Sequence, residues 1–315
     1  EIRPYEKRGH QGTKKLNADL VVVDECSMID TYIMATLLSS IKNGAMLILI
    51  GDKDQLPSVG AGNILSDLIE SHTIPVCTLT EIFRQDSRSV IIENSRKVIN
   101  NDSNLKTDDI FAIEQHINEK SMIKAVGELV KKYFARGEDF KLFTPVKNKK
   151  FLSSTVNMNR LLKELKGGKE ESINYGSYTF SVGDLVMFNK NDYEKGYFNG
   201  QEGIIRDIQR HGTTVRMLVE TNGERISLTD TELNSIELGY AITAHKSQGS
   251  ECDNAIILIP NAPSSLLKKQ LLYVEITRAR KSVVIFEEKG ALKTALSYKG
   301  EIKRNTGLKS KIANS

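Results

Sequence analysis

The sequence predicts an α/β protein of two domains, the second interrupted by a small β-barrel. Three observations carry this reading. Short apolar, β-branched runs alternate with stretches whose apolar residues recur at helical spacing, the pattern of βα units in a parallel, doubly wound sheet. Between residues 178 and 237 the helical spacing stops, and short strands separated by turns replace it. The length of 315 residues is enough for two separate cores.

Composition narrows the class. Hydrophobic content of 39% and charged content of 27% are those of an ordinary globular chain. A net charge of +4 leans basic but is too small to establish a nucleic-acid partner. Cys26, Cys77 and Cys252 are scattered without metal-type spacing, which fits a reducing cytoplasm and argues against a disulfide framework. No apolar run approaches membrane-spanning length, and the start has no signal-peptide pattern. The chain opens on Glu1 rather than Met, so it is expected to begin partway into its gene product.

Residues 1–17 are polar, are broken by Gly9 and Gly12, and carry no periodicity. The first strong element is Leu-Val-Val-Val-Asp-Glu-Cys-Ser-Met-Ile-Asp at 20–30, where Val21, Val22 and Val23 stop at the adjacent acids Asp24 and Glu25. Open α/β sheets place their chemistry at the carboxyl ends of such strands. In nucleoside triphosphatases the first acid helps hold Mg²⁺ and the second positions the attacking water. Helix capping is the competing reading, and Ser27 or Asp30 could cap the following helix equally well.

Ile33, Met34, Leu37, Leu38 and Ile41 place a helix over 31–42, and residues 45–50 form a second buried strand. That strand runs into Gly51-Asp52-Lys53-Asp54-Gln55-Leu56-Pro57-Ser58-Val59-Gly60, followed by a helix over 63–70. Gln55 then stands on the same rim as Asp24 and Glu25; a plain Gly/Pro turn accounts for the loop equally well. A short strand over 75–79 leads to Phe83-Arg84-Gln85, where Arg84 is either a phosphate ligand or an ordinary surface arginine. Residues 89–99 read as a helix, and 100–109, rich in Asn and Asp, as the linker between domains.

In the second domain Met122, Val126, Leu129, Val130 and Tyr133 form one helical face over 122–134. A strand over 140–143 leads to Thr144-Pro145, and a helix spans 152–165. The barrel strands fall at 185–188, 203–208, 214–220 and 225–228, with Asn222-Gly223 as the hairpin signal. The loop at 193–200 offers aromatics, Lys195 and Asn199, a mixture suited to stacking on bases and touching their backbone. Burial of Tyr197 or Phe198 in the barrel core explains the same residues. Residues 244–251, Ala-His-Lys-Ser-Gln-Gly-Ser-Glu, precede a strand over 255–259, and 273–280, Tyr-Val-Glu-Ile-Thr-Arg-Ala-Arg, precede one over 282–286. No second ligand stands at metal spacing from His245, so zinc is discounted, and a packed core histidine is the alternative. Arg280 reads as a surface residue and Tyr273 as core. The tail beyond Lys299, with Lys303, Arg304, Lys309 and Lys311, reads as basic and mobile.

Asp24-Glu25-Cys26-Ser27, the loop at 51–62, Phe83-Arg84-Gln85, residues 244–251 and residues 273–280 together resemble the ordered motif series of superfamily 1 helicases. The wording is closest to the RecD-like branch, which moves 5′→3′ on single-stranded DNA, and the likeness runs from residue 19 to residue 286. The resemblance implies two RecA-like (P-loop NTPase) domains with ATP between them and a small barrel inserted in the second. On that reading residues 1–104 are the remainder of the first domain, 105–175 and 241–298 the second, 176–240 the insert and 299–315 a basic tail. It implies that Asp24 coordinates Mg²⁺, that Glu25 activates water, and that Gln55 senses the γ-phosphate and connects it to a DNA-contacting Pro57-Ser58-Val59. Arg84 and Arg278 would stabilise the transferring phosphoryl group, an arginine role worth about 10³–10⁵ in rate. Gly249 and Glu251 would reach the nucleotide, and Thr144, Pro145, Thr243, His245 and Ser247 would line the DNA track.

The sequence departs from that pattern in three places. Cys26 replaces a usual alanine, and Val274-Glu275 stand where small or hydroxyl residues are common, so that Glu275 could pair with Arg278 and weaken its role. No Gly-x-x-x-x-Gly-Lys-Ser/Thr loop occurs in the chain. The expectation is therefore the C-terminal portion of a longer ATP-dependent helicase, cytoplasmic and without ATPase activity by itself. Its partners would be single-stranded DNA, single-strand/duplex junctions and other repair or recombination proteins. Two alternatives stand beside it: a non-enzymatic DNA-binding or regulatory module, and the helicase segment of a larger relaxase or nuclease assembly.

Overall fold

The structure, a computed structural model, describes residues 15–79, 90–167, 171–212, 214–297 and 304–314. By contacts the chain divides into two compact units, Glu1–Ile82 with Lys299–Ser315, and Phe83–Tyr298.

The first unit contains β1 (Leu20–Val23), α1 (Thr31–Ser40), β2 (Met46–Leu49) and α2 (Ile64–Ser71). β1 and β2 are parallel, in the register Leu20↔Met46 to Val23↔Leu49. Parallel neighbours need a crossover, and α1 supplies it. Alternation along the strands sends Val21, Val23, Leu47 and Leu49 against Met34, Leu37 and Ile64. The opposite face, Leu20, Val22, Met46 and Ile48, stays 40–62% exposed. The strand expected over 75–79 does not form. Its residues have strand propensity, but pairing decides whether a strand exists, and no partner is hydrogen-bonded there among the described residues.

The second unit runs α3 (Val90–Ile99), β3 (Phe111–His116), α4 (Glu119–Arg136), β4 (Phe140–Phe143) and α5 (Thr155–Lys166). An antiparallel insert follows: β5 (Ser172–Tyr175), β6 (Tyr178–Ser181), β7 (Leu185–Phe188), β8 (Glu202–His211), β9 (Thr214–Thr221), β10 (Glu224–Thr229) and β11 (Ile236–Leu238). The unit closes with β12 (Ala241–Ile242), β13 (Cys252–Ile259), α6 (Lys269–Thr277), β14 (Ala279–Glu288) and α7 (Ala291–Ser297). Its main sheet has the order β12-β4-β13-β14-β3, and every pair in it is parallel. β13 is buried on both faces. Ile256 and Leu258 enter one cluster with Met122, Leu142 and Phe286, whereas Ala255, Ile257 and Ile259 enter another with Phe143, Val283 and Ile285.

One expected boundary shifts. Helix α3 belongs to the second unit because Ile91 and Val98 are buried in its core. The stretch at 100–109 is tied to that helix: the buried Asn94 side chain donates to Lys106 O at 2.7 Å and accepts from Lys106 N at 2.9 Å. The break therefore falls at residues 82 and 83 rather than near 104.

The insert is a five-stranded antiparallel sheet of order β10-β9-β8-β7-β11 beside the β5–β6 hairpin. Among the described residues its edge strands β10 and β11 are not paired with each other, so the hydrogen bonds define an open sheet instead of the expected closed barrel. The Asn222-Gly223 turn has φ values of 50° and 80° at the two residues, the left-handed pair that a tight hairpin needs. The insert shares its core with the main sheet, since Phe188, Tyr197, Met217 and Leu228 join the cluster of Met122 and Leu142. Lys141 also pairs with Glu202 at 2.5 Å, and the Tyr240 hydroxyl donates to Asp184 Oδ1 at 3.0 Å.

Candidate functional site

The carboxylates sit where β1 and β2 end together. Ile50 N donates to Val23 O and Cys26 N to Ile50 O, both at 2.8 Å, so the two strand ends are joined around Asp24 and Glu25. The cap of α1 is Asp30, whose Oδ1 accepts from Ile33 N at 2.8 Å. That removes the capping explanation for Asp24 and Glu25. Asp24 Oδ1 accepts from Glu25 N at 2.8 Å, and Glu25 has the left-handed backbone φ 50°, ψ 39°. A non-glycine residue there costs about 1–2 kcal/mol, and such strain concentrates at functional sites. Beneath the acids Cys26 is buried, and burial raises its thiol pKa. A Cβ on Gly51 would lie 3.0 Å from its Sγ, so the two loops approach closely there and a larger residue would press on Cys26.

Gln55 stands on this rim, and its Oε1 is buried without a hydrogen-bond partner, as is Ser27 Oγ. Neither Asp24 nor Glu25 has an ion-pair partner among the described residues. A carboxylate with buried oxygens nearby fits Mg²⁺, which takes one or two carboxylates and fills its remaining positions with water and phosphate. Among the described residues no group of three or more His, Cys, Asp or Glu could hold a metal instead. Arg84 lies outside the described residues.

In the loop after Gln55, Pro57 is partly exposed, Ser58 is buried and Val59 is 95% exposed. Ser58 Oγ donates to Gly60 O at 3.1 Å, so its hydroxyl turns inward and Val59 forms the tip.

The second unit separates its candidates between the two edges of one sheet. At the carboxyl edge β4 and β12 are neighbours, and Thr144 N donates to Ile242 O at 3.0 Å. This brings Thr144 and Pro145 beside Thr243, His245 and Ser247. The Thr144 and Ser247 side chains are fully buried and serve their own turns, with Thr144 Oγ1 accepting from Val146 N and Ser247 Oγ donating to Ala244 O. Thr243 Oγ1 is buried without a partner. His245 is exposed. Desolvation first, then the charges of Lys147 and Lys268, hold its pKa below the usual value, which favours the neutral imidazole beside these lysines. Lys147, Lys149 and Lys150 are exposed immediately after Pro145. Sequence reasoning passed over this cluster, although the closely spaced lysines beside Thr144-Pro145 were the visible signal.

At the amino edge Cys252 pairs with Ala279, so the residues before β13 and β14 are neighbours. Arg278 is buried; its Nη1 donates to Ser250 O at 3.1 Å and its Nε to Val274 O at 3.3 Å. The guanidinium thereby grips the segment that carries Gly249 and Glu251. Gly249 has φ 78°, the left-handed conformation that glycine tolerates. Residues 243–251 join the two edges: β12 ends level with Phe143 and Ile257. β13 starts five residues upstream of Ile257, so this segment retraces about 17 Å of sheet.

Glu275 forms no ion pair with Arg278 among the described residues. It is buried, its Oε1 has no hydrogen-bond partner, and burial alone pushes its carboxyl up to about 8. Burial thus favours the uncharged form of Glu275, which would leave Arg278 free of its pull.

In the insert Tyr197 is fully buried and stacks on Phe188 with ring centroids 4.2 Å apart. Tyr193 and Phe198 remain at the surface as an edge-on pair, beside the exposed Asn199, whose N donates to Asn191 Oδ1. Lys195 is held by Glu232 at 2.5 Å and by Ser227 O at 2.9 Å. That lysine bond is the main reason the Glu232 carboxyl falls to about 2. Arg280 pairs with Asp253 at the surface.

Residues 5–126 match the AAA domain family and 238–286 the UvrD-like helicase C-terminal domain. The ATP-dependent RecD2 DNA helicase of Deinococcus radiodurans is 30% identical over 93% of this chain and 40% of its own length. The RecBCD enzyme subunit RecD of Mycolicibacterium smegmatis is 26% identical over 96% of this chain and 56% of its own. The chain thus spans about half the length of the curated relatives it matches. In fold it is similar to Pif1 helicase from Bacteroides in complex with ADP-AlF3 and ssDNA, at TM-score 0.51 and 19% identity over 94% of this chain and 77% of that one. Among the described residues no helix is long and apolar enough to cross a membrane.

Proposed function

We propose, for a chain that belongs to the RecD-like branch of the superfamily 1 helicases, that it provides the hydrolysis and DNA-track elements of an ATP-dependent 5′→3′ DNA helicase. The observation that carries this is the segment at 243–251, which leaves Thr144 at one edge of a sheet and reaches Arg278 at the other. A single short segment attached to both kinds of candidate residue suits a protein that converts phosphate chemistry into movement on a strand.

The assignments follow the chemistry of each group. Asp24 would hold Mg²⁺ and Glu25 would orient water, neither carboxylate having an ion-pair partner among the described residues. Gln55 would sense the γ-phosphate through its unpartnered Oε1. Arg84 and Arg278 would bear on the phosphoryl group, with Gly249 and Glu251 at the nucleotide. The bound nucleotide and its metal supply the phosphoryl electrophile and charge neutralisation. This chain's part is to orient water and bind the strand. Pro57, Val59, Pro145, His245 and Asn199 would meet single-stranded DNA or a single-strand/duplex junction, with Ser58, Thr144, Thr243 and Ser247 supporting them from beneath. A cytoplasmic location and association with repair or recombination proteins belong to the same reading.

The test uses a polypeptide that joins residues 1–315 to a phosphate-binding loop of the Gly-x-x-x-x-Gly-Lys-Ser/Thr type. Its ATPase should rise with single-stranded DNA and be abolished by Glu25→Gln. Full activity in that variant would overturn the catalytic assignment. Residues 1–315 alone should bind single-stranded DNA with strong salt dependence and hydrolyse no ATP. Salt-sensitive binding that never responds to nucleotide in the longer polypeptide would favour the non-enzymatic alternative.

A further inference from the structure

The basic tail, expected to be mobile, returns to the first unit and seizes its loop. Arg304 Nη1 donates to Gly60 O at 2.5 Å, to Gly62 O at 2.6 Å and to Ser58 Oγ at 3.0 Å, while Nη2 donates to Ser58 O. The carbonyl between these, Ala61 O, is taken from the other side by Thr31 N and Thr31 Oγ1, both at 2.9 Å. Alternate carbonyls of one loop are thus bound by a guanidinium and by the first residue of α1. A planar, always charged fork with five donors suits this task, and a lysine could not span the same acceptors.

The surroundings leave the loop no slack. A Cβ on Gly60 would lie 2.1 Å from Asp30 Oδ2, and one on Gly62 would lie 2.3 Å from Thr31 Oγ1. The tail itself is anchored beyond Arg304 by a short helix, Leu308–Ala313, whose Leu308 packs against the Met34, Leu37 and Ile64 core. With Ser58 drawn in by these bonds, Val59 is left as the exposed apex. A branched aliphatic side chain held out on a rigid loop can press against a base face without demanding any particular base.

We propose that Arg304 is a positioning residue, which fixes the loop at 58–62 so that Val59 projects onto single-stranded nucleic acid. The inference rests on the reading of Pro57-Ser58-Val59 as a DNA-contacting loop, and its test separates the two. Residues 1–315 and the variants Arg304→Ala, Arg304→Lys and Val59→Ala are titrated against a fluorescein-labelled oligothymidylate at fixed salt. Amide hydrogen exchange of the peptide covering 57–62 is followed in parallel.

Arg304→Ala should weaken binding about tenfold and speed exchange across 57–62, while exchange in β13 stays unchanged. Arg304→Lys should behave like Arg304→Ala, and methylguanidinium should restore part of the affinity of Arg304→Ala where methylammonium at matched ionic strength does not. Weakened binding by Val59→Ala with wild-type affinity in Arg304→Ala would overturn the role of Arg304 and leave the loop reading standing. Wild-type affinity in Val59→Ala, or no binding by the parent chain, would overturn the loop reading and this inference with it. Full affinity in Arg304→Lys would mean that the charge touches the nucleic acid directly, which also refutes positioning.

Discussion

The parallel strands of the two units are written in the same amino acids but are covered differently. β13 carries Ala255, Ile256, Ile257, Leu258 and Ile259, and the two faces of that run enter two separate cores. β1 and β2 carry Leu-Val-Val-Val and Met-Leu-Ile-Leu, yet only the face with Val21, Val23, Leu47 and Leu49 is packed by described residues. Parallel strands read as continuous apolar runs because helices normally cover both faces. A run of that kind records how a strand is meant to be covered, and the first unit places its acids on a sheet whose second face is still in contact with water. The second unit, by contrast, sets its candidate residues at the edges of a completed sandwich.

The comparison can be broken by mutation. The largest effect expected is for Ile256→Ala, which empties a fully buried position in the central region of the larger sheet. It should cost about 2–5 kcal/mol, read as a fall in the urea midpoint of hydrogen exchange for peptides of the second unit. Next is Glu275→Gln. Burial raises this carboxyl from 4.5 to about 8, so between those values the folded state binds a proton that the unfolded state has released. Stability of the second unit must therefore fall as pH rises from about 4.5 through about 8, by on the order of 3–5 kcal/mol. The glutamine variant should flatten that slope and melt higher than the parent at pH 9, with little difference at pH 4.

Two smaller effects sharpen the contrast. Glu232 is depressed to about 2 by Lys195 and by the backbone of Thr229, so its contribution is present above about 4.5 and lost as pH falls through about 2. Glu232→Gln should remove about 1–2 kcal/mol from the insert at pH 7 and much less at pH 2, seen in exchange of β9 and β10. The smallest is Val22→Ala on the open face of β1. With half of that side chain already exposed, it should cost less than about 1 kcal/mol. A loss as large as that of Ile256→Ala would mean that the face is covered in solution.

Much of this was legible wherever the signal was contiguous. Asp24 and Glu25 announce themselves because the strand and its terminal acids are adjacent in the chain, and Asn222-Gly223 because a two-residue turn needs only two residues. β12 was invisible, being two residues long and existing only because β4 lies beside it. β3 was missed because this edge strand of the sheet ends in Glu-Gln-His, which breaks its apolar run. The inward hold on Ser58 was only partly legible, for beside its bond to nearby Gly60 it is gripped by Arg304, 246 positions away. The buried Thr144 and Ser247 show the same limit: spacing places a residue at a rim, and only packing decides whether its side chain faces outward.

The anchoring of Leu308 in the core of the first unit has a consequence for how the protein is made. The unit that starts nearest residue 1 is completed by residues near 310, and all of Phe83–Tyr298 is synthesised between them. At about 5–20 residues per second, that interval leaves Met34, Leu37 and Ile64 waiting on the order of ten seconds or more for their last neighbour. The second unit, contiguous in sequence, can fold while the ribosome is still working; the first must remain unfinished until the residues near 310 have been made.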